Sequence, residues 1–438
     1  MKSSTIEEIC PGVGQEALDI EVTTRCNGSC LHCFARSGIS RSSSLPIGLV
    51  KEIITEAYHA GYRHLHITGG EPLLWEGLFE TVEYAFRSGY KTIFMNTNGT
   101  LITEEIGKRL ADYGSFSMSV SLDGPEDLHD RIRGKGSYRR VMRGIENALN
   151  MRNNLTIFTT VTRRLLPKLP YFVDDLYKEF PTINSLILIQ LISIRNDAFP
   201  LSRELLAPED FIRLVRMVAL LNVGGLRIIV KKNPLANVVS KLIDMPWIPW
   251  VPPLYREGSM IIMANRHIGV VHSNRNSLGS YRPGMIRKVL TSNTYRKMVG
   301  PDESTCPLCR YARVCEENGM VRPSEAYRDL YFDTPYCRRV LDKIPSAQVF
   351  VSRKDERPAL FDRAYKDPGR YRVVTKRRKG GISRQKGETV GDPWRRVKAI
   401  PGLSGPAGAP RLFGKNNFDS ERLPQRKGEK TCRPKRKA

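Results

Sequence analysis

Short apolar runs alternate with amphipathic stretches over the first half of the chain. Apolar runs of strand length occur at Leu18–Thr23, His64–Thr68, Thr92–Asn96, Phe116–Leu122, Leu155–Val161 and Leu186–Ile192. Stretches with apolar residues at helical spacing follow them at Leu49–Ala60, Leu78–Ser88, Glu104–Tyr113, Tyr138–Met151, Lys168–Glu179 and Pro208–Leu221. The alternation predicts an α/β fold, in which a parallel sheet with helices on its outer face curls into a partial (β/α)6 barrel of the TIM type. In such a barrel, the active site is expected at the carboxyl ends of the strands.

Composition divides the chain further. The segments are an N-terminal segment (1–16), the predicted barrel (17–231), a connector rich in proline and tryptophan (232–254), a small cysteine-rich extension (255–345) and a basic tail (346–438). The tail is polar and rich in glycine and proline, which predicts disorder.

Positive charge is concentrated in the tail. The formal net charge of the chain is +25, and residues 351–438 hold 26 Lys and Arg against 9 Asp and Glu, a net +17. The basic runs Thr375–Gly381 and Cys432–Ala438 could bind nucleic acid or another polyanion, whereas such a tail is more often solvated disorder. Nucleic acid is therefore expected as a partner only through the tail.

No apolar run is long enough to cross a bilayer, and the N-terminus lacks a signal-peptide pattern. We therefore expect a cytoplasmic protein with no membrane partner. Seven of the nine cysteines form two groups, while Cys10 and Cys432 stand apart. In the cytoplasm, such grouping favours a metal site over disulfides.

The first cysteine group directly follows the first predicted strand. Cys26, Cys30 and Cys33 have C-x3-C-x2-C spacing. Three thiolates can hold one corner of an iron–sulfur cube and leave one iron open. A zinc site with a distant fourth ligand is the alternative that the spacing alone leaves open.

The sequence around this group resembles the signature loop of the radical S-adenosylmethionine (radical SAM) superfamily. The resemblance implies that Cys26, Cys30 and Cys33 bind a [4Fe–4S] cluster, whose fourth iron is chelated by S-adenosylmethionine. It also places His32 close to the adenine. The chain would then cleave S-adenosylmethionine reductively to a 5′-deoxyadenosyl radical, which takes a hydrogen atom from a substrate. A low-potential electron donor such as ferredoxin or flavodoxin is implied as a partner.

Three further segments resemble superfamily motifs, each after a predicted strand. The first is Gly69-Gly70-Glu71-Pro72, in which the backbone and Glu71 would hold the ammonium group of the cofactor, since a carboxylate suits a cation. A Thr-Asn-Gly turn contains Asn98, which is implied as a further cofactor-binding residue. Ser121 begins a Ser-Leu-Asp-Gly-Pro segment, and Arg133 lies shortly after it; these two are candidates for contacts to the cofactor's ribose or carboxylate.

The second cysteine group lies in the extension. Cys306, Cys309 and Cys315 have C-x2-C-x5-C spacing, and Cys337 follows. A structural zinc ribbon uses similar pairs and is the alternative. In this context the spacing resembles the SPASM extension of peptide-modifying radical SAM enzymes, which implies a second, auxiliary [4Fe–4S] cluster. The full SPASM pattern has more cysteines, where this chain has His272-Ser273-Asn274 and Gly319, so only one auxiliary cluster is expected.

These features leave three hypotheses for the function. The SPASM resemblance favours modification or maturation of a peptide or protein. The single auxiliary cluster is also found in radical SAM enzymes that modify a tetrapyrrole in alternative haem biosynthesis. A zinc-stapled polyanion-binding protein is the hypothesis of a different class. No catalytic acid or base can be named from the sequence.

Overall fold

A computed structural model describes most of the N-terminal two thirds of the chain. The described residues are 11–14, 16–35, 37–191, 201–231, 233, 235–245, 248, 257–270, 272, 277–299 and 334–344. All of them belong to one compact unit, Met1–Arg377. The predicted disordered tail lies outside them.

A nine-stranded open sheet forms the centre of the fold, in the order β7-β6-β5-β4-β3-β2-β1-β8-β9. The strands are β1 Ala17–Glu21, β2 His64–Thr68, β3 Thr92–Thr97, β4 Phe116–Ser121, β5 Asn154–Val161, β6 Ser185–Gln190, β7 Ile228–Val230, β8 Met260–Ile262 and β9 Ile268–Gly269. Every neighbouring pair is parallel except β8 and β9.

Helices connect the strands. They are α1 Ile47–His59, α2 Leu78–Arg87, α3 Glu104–Ala111, α4 Glu126–Arg133, α5 Ser137–Asn150, α6 Leu169–Glu179, α7 Pro208–Val223, α8 Leu235–Leu242, α9 Met285–Leu290, α10 Asn293–Val299 and α11 Thr334–Asp342. Short 3-10 turns lie at Pro11–Gly14, Pro72–Leu74, Leu166–Lys168 and Ser202–Glu204. Among the described residues, no helix is both long and apolar enough to cross a membrane.

The predicted α/β partial barrel is confirmed, and the sheet extends beyond the six expected strands. β7 adds a strand after β6, and β8 pairs with β1 on the other side. The expected connector contains helix α8, and residues of the expected extension continue the barrel sheet through β8 and β9. These strands have three residues or fewer, too short to show a period-two pattern.

The two faces of the sheet differ in polarity. On β4, Phe116, Met118 and Val120 are buried and apolar, whereas the alternate positions are half-buried serines. Successive side chains of a strand point to opposite faces, so one face packs into the hydrophobic core and the other is polar. Asp19 shows the same pattern on β1, between buried Leu18 and Ile20. The polar face is therefore available for a functional site.

Candidate active site

The three cysteines of the first group converge in one loop after β1. A Cβ atom built on Gly28 would lie 3.6 Å from both Cys26 Sγ and Cys30 Sγ, so these two sulfur atoms flank the same small space. The backbone N–H of Cys33 donates to the carbonyl of Cys30, at 3.1 Å. All three thiols are free. The donor set and its spacing fit a cluster held by three thiolates.

Burial shapes the electrostatics of these thiols. It raises the pKa of Cys26 to about 11, against an opposing hydrogen bond from the Gly28 backbone. Burial also raises the pKa of Cys30, and the guanidinium of Arg133 opposes that rise. The metal-free Cys26 and Cys30 thiols are thus held protonated at neutral pH, so a bound metal must displace their protons.

Gly69 and Gly70 pack against the backbone that leads into the cysteine loop. The Gly70 N–H donates to the Thr23 carbonyl at 2.6 Å, and the Glu71 N–H donates to the Arg25 carbonyl at 2.9 Å. A Cβ on Gly69 would lie 2.6 Å from the Thr23 carbonyl oxygen, and a Cβ on Gly70 would overlap the Arg25 carbonyl oxygen. Within the chain, these glycines are required by a close backbone approach, in addition to any contact with a ligand.

Glu71 is fully buried, and its carboxylate accepts three hydrogen bonds from the chain itself. Oε1 accepts from the Thr97 hydroxyl at 2.7 Å and from the Leu73 N–H at 3.2 Å, while Oε2 accepts from the Asn98 N–H at 2.7 Å. Glu71 thus joins the loop after β2 to the turn after β3. Its contact with the cofactor's ammonium group stays a prediction, and Pro72 begins the short turn that positions Leu73.

Asn98 connects this turn to the cysteine loop. Its Nδ2 donates to Asn27 Oδ1 at 2.8 Å and lies 3.9 Å from Cys26 Sγ. Its Oδ1 accepts from both the N–H and the hydroxyl of Thr100. Asn98 is therefore placed directly beside a predicted cluster ligand.

A buried network on the other side of the loop contains His32, Asp123 and Arg133. Asp123 Oδ2 lies 3.1 Å from His32 Nε2 and 2.6 Å from Arg133 Nε. Arg133 Nη1 lies 3.8 Å from Cys30 Sγ. His32 Nδ1 is buried without a hydrogen-bond partner among the described residues, so it could accept a bond from a ligand. Ser121, at the end of β4, is half-buried two residues before Asp123.

The structure also adds two residues to the candidate site that sequence reasoning missed. Asp123 joins His32 to Arg133, and His129 Nδ1 accepts from the Asp123 backbone N–H at 3.1 Å. Both belong to segments whose neighbours were singled out, Asp123 within Ser-Leu-Asp-Gly-Pro and His129 just before Arg133. Their nearness to Ser121 and Arg133 in the sequence is the signal that could have indicated them.

The second cysteine group falls mostly outside the described residues. Cys306, Cys309 and Cys315 are not among them, nor are Cys10 and Cys432. Cys337 lies on α11 and is buried in the hydrophobic core. The auxiliary cluster therefore stays a prediction.

The fold and the site together define an α/β protein with a three-cysteine loop at the carboxyl ends of parallel strands. The model of the Radical SAM superfamily matches residues 20–165, which include this loop and the next three motif segments. Residues 20–165 therefore form a radical SAM domain, and the resemblance stated from the sequence is confirmed. Enzymes of this superfamily use a [4Fe–4S] cluster and S-adenosylmethionine.

Curated relatives differ in how much of the chain they match. The AdoMet-dependent heme synthase of Methanosarcina barkeri is 26% identical over 352 residues, which cover 72% of this chain and 94% of the relative. The mycofactocin maturase MftC of Mycolicibacterium smegmatis is 33% identical over 154 residues, 35% of this chain and 39% of the relative. The chain spans about two fifths of the length of this maturase and of other curated relatives.

A solved structure shares the fold. It is native anSMEcpe with bound AdoMet and Kp18Cys peptide, with a TM-score of 0.57 and 17% sequence identity. The match covers 74% of this chain and 95% of that one. The likeness extends beyond the 146 residues of the superfamily match, from 20 to 165.

Proposed function

We propose that the chain is a radical SAM enzyme whose Cys26, Cys30 and Cys33 hold a [4Fe–4S] cluster with one open iron. The observation that carries the proposal is the convergence of the three thiols in one loop, with Asn98 and Arg133 beside them. When bound, the cluster and S-adenosylmethionine supply reductive cleavage and hydrogen-atom abstraction.

The chain's own residues position this chemistry. The Gly69–Gly70 backbone and the Glu71 carboxylate fix the loops after β1, β2 and β3 relative to one another. Arg133 places a positive charge beside Cys30, which favours the thiolate that a metal requires. His32 Nδ1, which has no hydrogen-bond partner in the part of the chain that the structure describes, is the atom we assign to contact the cofactor's adenine.

Modification or maturation of a peptide or protein is the substrate class we propose first. It is supported by the relative named as a mycofactocin maturase and by the SPASM-like cysteine spacing. In this proposal Cys306, Cys309, Cys315 and Cys337 hold an auxiliary [4Fe–4S] cluster. Such a cluster would have no open iron, so electron relay is its proposed role, with ferredoxin or flavodoxin as the external donor.

A tetrapyrrole is the second candidate substrate, and one observation favours it. The heme synthase relative aligns along nearly its whole length, whereas the maturase aligns over about two fifths. The two candidates share the same cluster chemistry. They differ in the substrate that stimulates turnover.

Iron content and 5′-deoxyadenosine release test the proposal. Protein purified without oxygen and reconstituted with iron and sulfide should hold about eight irons per chain and release 5′-deoxyadenosine under reductant. A Cys26→Ala/Cys30→Ala/Cys33→Ala variant should hold about four and release none. Cys10→Ala is the control and should match the unsubstituted protein. Absence of iron and of 5′-deoxyadenosine would overturn the proposal.

The substrate and the auxiliary cluster are tested with the same protein. Faster 5′-deoxyadenosine release with iron coproporphyrin, with a mass change in the tetrapyrrole, would select the second candidate. Stimulation by a peptide encoded beside the gene, with a mass change in the peptide, would select the first. About four irons and one zinc with turnover intact would replace the auxiliary cluster by a structural zinc site.

A further inference from the structure

A second group of metal-binding side chains lies on the polar face of the sheet and contains no cysteine. Asp19 on β1 and His66 on β2 are register partners, and His272 follows β9. One ligand atom from each residue lies within 4.8 Å of the others. We propose that Asp19, His66 and His272 bind a divalent transition-metal ion of the zinc or ferrous-iron class.

The chemistry of these donors suits such an ion. Two imidazoles and a carboxylate are typical ligands of zinc and of non-haem ferrous iron. Ligand atoms about 2.1 Å from a tetrahedral ion lie about 3.4 Å apart, so the present spacing needs only small side-chain rotations to close around one. Three protein ligands would leave one position open, as in catalytic rather than structural sites.

The contact between Asp19 and His66 places a carboxylate oxygen and an imidazole nitrogen where one ion could join them. Its Nδ1 lies 2.9 Å from Asp19 Oδ1, and its side chain is only 10% exposed. Its Nε2 is buried with no hydrogen-bond partner among the described residues. An ion bound by both residues would replace the proton between Asp19 Oδ1 and His66 Nδ1, and no hydrogen bond on Nε2 within the described part of the chain restrains the ring from adjusting to the ion.

The surroundings fix the two rings and add negative charge. Phe94 stacks on His66 with ring centroids 4.2 Å apart, and the ring of Phe34, next to Cys33, lies 6.0 Å from that of His272. The Glu21 carboxylate lies 3.8 Å from His272 Nδ1 and is almost fully buried. Two carboxylates facing two imidazoles would balance the charge of a divalent cation.

The site lies beneath the predicted cofactor loops. Glu21 and Thr68 form the next inward row of the β1–β2 register, two residues nearer the carboxyl ends than Asp19 and His66. Two residues of strand span about 7 Å. Gly69 directly follows Thr68 and packs against the backbone that leads into the cysteine loop, so the proposed ion would lie on the amino-terminal side of that contact. Metal binding itself does not depend on the proposed function.

Zinc retention by the cluster-loaded protein tests the site. Iron and sulfide are loaded first, so that the cysteines are occupied. Ferrous iron outside the clusters is removed with a chelator, and the protein is then dialysed against micromolar zinc. Zinc and iron are counted together by mass spectrometry. The expected result is about one further zinc per chain, with no loss of iron.

The variants assign the zinc to these residues. His66→Gln and His272→Gln should lose the added zinc, and Asp19→Asn should weaken its binding because a neutral amide oxygen replaces a charged ligand. The matched control is His64→Gln, on the same strand, whose Nδ1 contacts Thr92. The inference is overturned if the unsubstituted protein retains no added zinc, or if His66→Gln and His272→Gln retain as much as His64→Gln. The zinc content of the unsubstituted protein is measured without any variant. The inference can therefore be overturned even if the variants misfold.

Discussion

Asp123 Oδ2 and Arg133 Nε lie 2.6 Å apart in a pair that solvent barely reaches, with 0% and 13% of the two side chains exposed. Burial acts to raise the pKa of Asp123, but Arg133 and His32 outweigh it and hold that pKa well below its usual range. Because Arg133 also lies beside Cys30, the carboxylate positions a positive charge at the cysteine loop.

Asp123→Asn should therefore destabilise the protein and weaken cluster retention. The substitution leaves a buried guanidinium without its counter-charge, which typically costs about 3–5 kcal/mol. We expect a clearly lower Tm and less iron retained after reconstitution. Thermal unfolding followed by circular dichroism measures the first, and iron analysis measures the second.

Glu126→Gln is the matched control, because it makes the same chemical change in an exposed pair. Arg139 Nε lies 2.9 Å from Glu126 Oε1, with 78% and 46% of the side chains exposed. Exposed pairs contribute about 0–1 kcal/mol. Equal losses of stability in Asp123→Asn and Glu126→Gln would show that the Asp123–Arg133 pair is not the stabilising element described above.

Gly70→Ala should disrupt the cysteine loop. A Cβ at this position would overlap the Arg25 carbonyl, which belongs to the backbone just before Cys26. Either that backbone moves or the hydrogen bond from the Glu71 N–H to Arg25 is lost. We expect reduced iron content and a lower Tm.

Gly38→Ala provides the comparison for Gly70→Ala. Gly38 belongs to the same loop region, where its N–H donates to the Thr24 carbonyl, and no atom lies within 4 Å of a Cβ built on it. This variant should retain iron as the unsubstituted protein does. Full iron retention by Gly70→Ala would mean that the close approach to Arg25 is not required.

The sequence predicted local features of the site well. The three cysteines of the loop lie within eight residues, so their spacing is visible in the sequence alone. The strands up to β6 are long enough for their apolar pattern to be recognised. Asp123 was missed because its partners are set by folding: His32 lies 91 residues away in the sequence. No pattern in a single sequence indicates such a pairing.

Gly69 and Gly70 show a different limit of prediction from the sequence. The resemblance assigns the backbone of this segment to the cofactor's ammonium group, and the structure shows that Gly69 and Gly70 also make room for the Thr23 and Arg25 carbonyls. Both reasons select glycine, so the residue type alone cannot separate them. The histidine–aspartate group had no signal either, because His66 and His272 come from distant segments that the sheet brings together.

Glu56→Ala should loosen the packing of α9 against the barrel. From α1, Glu56 accepts hydrogen bonds from the Tyr281 hydroxyl and from the N–H groups of Gly284 and Ile286, at 2.7–3.0 Å. Removing the carboxylate leaves these donors without their acceptor, at a cost of about 1–3 kcal/mol.

Limited proteolysis and Tm measure this effect, with Glu52→Ala as control. Glu52 is exposed one turn earlier on α1. We expect faster cleavage within residues 277–299 for Glu56→Ala and an unchanged pattern for Glu52→Ala. Identical patterns in both variants would contradict the role assigned to Glu56.

Protonation of His129 should make the stability of the metal-free protein depend on pH. Burial lowers the pKa of His129 to about 4, against the opposing effect of the Asp123 carboxylate. Its Nδ1 accepts from the Asp123 N–H, and a proton on Nδ1 would break that bond. Between about pH 6.5 and 4 the unfolded chain binds a proton that the folded chain does not.

The sign follows from this difference in proton binding. The contribution of neutral His129 to the free energy of unfolding is fully present above about pH 6.5. It is lost as the pH falls toward 4, at up to about 1.4 kcal/mol per pH unit. His129→Gln should therefore show a shallower fall of Tm between pH 7 and 5 than the unsubstituted protein, whatever its Tm at pH 7. His59→Gln changes an exposed histidine and should leave the slope unaltered. An unchanged slope in His129→Gln would mean that this buried imidazole takes up its proton in the folded protein as readily as in the unfolded chain.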